Sequence, residues 1–69
     1  MKPHQERVIA EKTELDAKRQ HLKTFIEGAV FSTLDQVEQD RLCRQFSVMS
    51  FYSIILGERI AAFDCAGVR

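Results

Sequence analysis

Apolar residues recur every seven positions in the first part of the chain, at Val8, Leu15 and Leu22, and again in the second part, at Leu42, Met49, Leu56 and Phe63. A repeat of seven holds one stripe of a helix against a neighbour over several turns. Phe25 and Ile26 join the first stripe, while Phe46 and Ile60 widen the second. The pattern predicts two helices with matched faces, the first over residues 3–27 and the second from about residue 35 to Phe63. Leu22 opposite Leu42, Leu15 opposite Met49 and Val8 opposite Leu56 then form layers of one antiparallel register.

Punctuation along the chain fits this division. Pro3 suits a first helical turn, and Gly28 can end the helix that follows. Residues 29–34 are long enough only to connect antiparallel neighbours. Two capping signatures compete for the second start, Thr33 with Gln36 and Asp35 with Glu38, which places it between Thr33 and Gln36. Glu14 and Lys18 form a favourably oriented pair on a wet face. Residues 64–69 are expected to fray. The reading is all-α: a single helical-hairpin domain over residues 1–69.

The second helix carries more apolar surface than the first can cover. Eight of the eleven residues from Phe46 to Leu56 are apolar. At roughly 100° per residue, Val48, Phe51, Ile55 and Ala62 form a stripe opposite the one facing helix one. Ser53, Gly57 and Ala61, spaced by four, add a smooth strip that another backbone could approach. The economical cover is a second copy, giving a four-helix homodimer with Val48, Phe51, Ile55, Gly57 and Ala62 in its interface. Arg41, Arg44 and Arg59, with Tyr52 at the edge of the core stripe opposite Lys12, are the residues expected to meet a further partner.

Size adds a reason to associate: a 69-residue chain seldom buries enough surface to stand alone without disulfides, metal or oligomerisation. Cys43 and Cys65 follow no apolar leader, so a cytoplasmic setting and reduced thiols are expected. His4 and His21 share no ligand-type spacing with either cysteine, so neither metal nor other cofactor is expected. Ten basic residues balance ten acidic ones, which argues against direct binding to nucleic acid. The longest uncharged stretch in the apolar part, Gln45 to Gly57, falls short of a membrane span.

Catalysis finds little to work with. His21 and Cys43 are neighbours in the proposed register, yet nothing supplies an orienting group or an oxyanion hole. Glu11, Glu14 and Asp16 each have a basic residue within helical reach and read as a solvated face. Binding is the remaining class. A protein inhibitor leads, followed by an oligomeric sponge for a signalling nucleotide, with Lys12, Arg19 and Lys23 as possible phosphate contacts. A purely structural component comes third and predicts open-ended assembly.

The stretch Arg7 to Asp16, followed by Phe25, Phe31, Leu34, Glu38-Gln39, Leu42, Gln45, Met49, Tyr52, Leu56 and Arg59 to Phe63, resembles a family of short helical phage and prophage proteins, related to an open reading frame of crAss-like phages. The likeness covers about residues 5–63. Within that group the chain is similar to the anti-quorum-sensing proteins of Pseudomonas phages. That similarity implies a host-takeover inhibitor with two partners, a LuxR-type transcription activator and the type IV pilus assembly ATPase. No motif carries partner-contacting residues across. Phe46, Phe51, Ile54 and Ile55 are more apolar than that family leads one to expect.

Overall fold

Helix α1 spans Pro3–Glu27 and helix α2 spans Gln36–Ala66, joined through a 3-10 turn at Phe31–Thr33. The computed structural model describes the backbone of residues 2–66 and the side chains of residues 2–63. Among them there is no strand, and the two helices lie side by side in a rod of 51 × 16 × 14 Å.

Each boundary has a local cause. Pro3 opens α1 with φ already helical, and the Lys2 backbone N–H donates to Gln5 Oε1 at 3.1 Å. Gly28 closes α1 with its N–H on the Phe25 carbonyl at 3.1 Å, in an extended conformation. Of the two competing caps, Asp35 is the one used: its Oδ1 accepts from the Glu38 backbone N–H at 2.9 Å. Thr33 is spent inside the connection, where its hydroxyl donates to the Val30 carbonyl at 2.6 Å. Helix α2 continues through residues 64–66, which the sequence pattern assigned to a fraying tail, because Asp64, Cys65 and Ala66 contain no breaker. Residues 67–69 of that tail lie outside the described residues.

The seam between the helices is only partly apolar, and its contacts are offset from the expected register: Lys12 meets Ser53 and not Tyr52. Val8 at 6% exposure and Leu56 at 0% are its buried hydrophobic residues. Between the apolar layers α1 presents Lys12 and Arg19, and α2 answers with Ser53, Ser50 and Phe46. Lys12 Nζ reaches Asp16 Oδ2 at 2.8 Å and Ser53 Oγ at 3.1 Å. The Ser53 hydroxyl donates to Asp16 Oδ1. Arg19 donates to Ser50 Oγ at 3.3 Å and stacks over Phe46, 5.7 Å from the ring centroid, within cation–π range. Its Nε is buried without a hydrogen bond, 3.9 Å from Asp16 Oδ1. Hydrogen bonds from Lys12 and then Ser53 hold the Asp16 carboxyl below its ordinary value.

Two expectations change here. Asp16 belongs to the seam and not to a solvated face, because Lys12 and Ser53 draw it inward. Ser53 and Gly57 also face α1: Ser53 is buried, and a methyl group added at Gly57 would meet Lys12 Cε at 3.4 Å. Only Ala61 of the small-residue strip is exposed.

Candidate interaction face

Seven-residue spacing that turns Leu42, Met49 and Leu56 toward α1 turns a different set of α2 residues to the outside. Val48 is 68% exposed and Phe51 65%, and Ile54, Ile55 and Val37 are exposed with them. Large apolar side chains in water at this density along one helix mark a surface built to be covered. The same residues raise the hydropathy of α2. By length and composition alone Gln36–Phe63, with a window of mean hydropathy 1.3 of which only 11% is buried, is long and apolar enough to cross a membrane, more than its uncharged stretch Gln45 to Gly57 indicated.

Of the residues expected in a dimer interface, Val48, Phe51, Ile55 and Ala62 share this open face, whereas Gly57 lies on the seam against Lys12. Of those expected to meet a partner, Arg41, Arg44, Tyr52 and Arg59 are all exposed. Ser53, not Tyr52, is the residue opposite Lys12. Tyr52 stands at the margin between seam and open face.

Arg41 and Arg44 come together. With Gln45, Val48 and Met49 they line an open groove of about 480 Å³ on α2. Arg41 NH1 is 3.1 Å from Glu38 Oε1, a surface pair worth little in water. Arg44 enters no ion pair among the described residues. Exposed guanidinium donors beside a floor of Val48 and Met49 suit a ligand that joins an anionic group to an apolar or planar body.

The other candidates are dispersed. Lys12 and Arg19, read as possible phosphate contacts, are engaged in the seam, and Lys23 on α1 is exposed and does not line the groove. His21 and Cys43 are both exposed. Sequence reasoning missed the polar seam, although a signal for it existed: Lys12, Arg19 and Ile26 fill the alternate three-and-four spacing between Val8, Leu15 and Leu22.

Comparison with known proteins locates the chain. Residues 2–62 match the model of a family described as Sequestin. A 7.5 kDa uncharacterized protein from the denB–rIIB intergenic region of Enterobacteria phage T4 is 41% identical over 63 residues, which are 91% of this chain and 98% of that protein. No solved structure gives a significant match.

Proposed function

Because this chain belongs to the Sequestin family, we propose that it works by sequestration: a non-enzymatic phage protein that binds a host factor stoichiometrically and withholds it. The family's name speaks for capture, and the structure adds a place for it. The single observation that carries the reading is the groove in which Arg41 and Arg44 border an apolar floor on an otherwise uncovered face. Its volume of about 480 Å³ falls within the ~300–1,000 Å³ typical of small-molecule sites.

The cargo that fits this chemistry best is a signalling nucleotide. Guanidinium groups meet phosphate in a fork geometry, and Val48 with Met49 offers an apolar bed for a base. The phosphate handle therefore sits on α2, since Lys12 and Arg19 on α1 are committed to the seam. In this reading the protein acts in the host cytoplasm, and the same apolar face also serves its homodimer. The test is a thermal-shift and calorimetric screen of the full chain against cyclic and linear nucleotides. A raised melting temperature that Arg44→Ala abolishes supports a nucleotide cargo; flat melting curves across the panel retire it.

A protein cargo is the second reading, favoured by the breadth of the exposed face beyond the groove, from Val37 to Ile55. The LuxR-type activator and the type IV pilus ATPase implied by resemblance are then the proteins to try. Pull-down from a Pseudomonas lysate should recover one or both, and Phe51→Asp should release them. Recovery of chaperones alone removes this reading.

A further inference from the structure

The open face of α2 is symmetric about its own midpoint. On one stripe, with spacing that alternates three and four residues as in a coiled-coil seam, Val48 is matched with Phe51, Arg44 with Ile55, Arg41 with Glu58, and Val37 with Ala62. Of its three charged members, Arg41 and Glu58 carry opposite charges at equal distances from the centre, and Arg44 stands opposite Ile55. Arg41, Glu58 and the apolar residues between them are exposed in the single hairpin.

We propose that this stripe is a two-fold seam for a second copy of the same chain, with the two α2 helices antiparallel and Arg41 of each copy against Glu58 of the other. The orientation follows from charge. Antiparallel packing joins Arg41 to Glu58 at both ends and places Val48 on Phe51 at the axis. Parallel packing would set Arg41 on Arg41 and Glu58 on Glu58, and like charges across an interface are penalised. The Glu38 that now accompanies Arg41 lies one turn away and is itself solvent-accessible, so the guanidinium can serve both carboxylates. A seam with equivalent patches on both partners is isologous and closes at two, which excludes open-ended growth from this face.

The seam uses the groove's own lining. Antiparallel packing lays Phe51 and Ile55 of the second copy on Val48 and Arg44, so a cargo in the groove and the second copy compete for the same residues. This deepens the proposed function through its self-association, and mass and ligand binding are read separately, so either can fail alone.

The experiment is done without any ligand: light scattering after gel filtration, and sedimentation equilibrium, on the full chain at micromolar concentration. Twice the 8.0 kDa chain mass is expected. Arg41→Glu and Glu58→Arg should each raise the dimer dissociation constant at least about tenfold with helicity unchanged. An equimolar mixture of these variants should recover the dimer, because every facing pair is again opposite in charge. An 8.0 kDa species throughout, including one that floats with phospholipid vesicles, would overturn the proposal. So would single variants that dimerise as tightly as the parent, the outcome a parallel seam predicts.

Discussion

Asp16 is the residue around which the polar part of the seam is organised. Its carboxylate accepts from Lys12 and Ser53, and these bonds favour the charged form. A carboxylate whose value is lowered by folding stabilises the fold above its ordinary value of 3.8, and that contribution is lost as pH falls through the lower folded value. The stability gap between the parent chain and Asp16→Asn should be full near neutrality and close on acidification below about pH 3.8, as read by urea melts at stepped pH. Gly57 gives the opposite kind of prediction. A methyl group there would meet only the flexible Lys12 Cε at 3.4 Å, and alanine is the better helix former. Gly57→Ala should raise stability by about 0.5–1 kcal/mol in thermal denaturation.

At the scale of the element, α2 has two different duties on opposite sides. The inner side depends on very few residues: among the described residues of α2, Leu56 is the one apolar side chain that is fully enclosed. Leu56→Ala should cost about 2–5 kcal/mol, enough to unfold so small a hairpin, and circular dichroism would show it. Asp35→Ala removes the cap that starts α2 and should cost about 1 kcal/mol. The spacing of Val8, Leu15, Leu22 and of Leu42, Met49, Leu56 already contained this two-helix layout, though not its register, which puts Ser53 and not Tyr52 opposite Lys12. What stayed hidden was which polar residues turn inward. Lys12 and Arg19 look like surface residues because charge counts as exposure in a periodicity reading, yet a long basic chain can lay its stem on apolar neighbours and pair its tip. Ser53 and Gly57 were placed outside by their small size, when a small residue opposite Lys12 is what lets that side chain fit. The pairing of Arg41 with Arg44 in one groove was half legible, since their exposure followed from spacing but the concavity between them required coordinates.

For the whole molecule, a rod 51 Å long and about 15 Å across has little interior to protect it. Its stability should therefore depend on protein concentration, as for any assembly whose partner binds only the folded form. Raising the chain from 1 to 100 times its dimer dissociation constant should move the melting temperature upward, and Val48→Asp or Phe51→Asp should flatten that dependence while leaving the dilute-limit melt unchanged. Both residues are mostly in water in the single hairpin, so their replacement removes little from the fold itself.

Division of labour between the two sides of α2 also bears on how such a protein can change over generations. Val48 and Phe51 make almost no contribution to holding one hairpin together, so mutation can explore that side without first unfolding the scaffold. Under the capture proposed above, a virus whose host alters the captured molecule would need to rewrite only a few outward positions, while Val8, Leu56 and the Asp16 cluster keep the architecture intact.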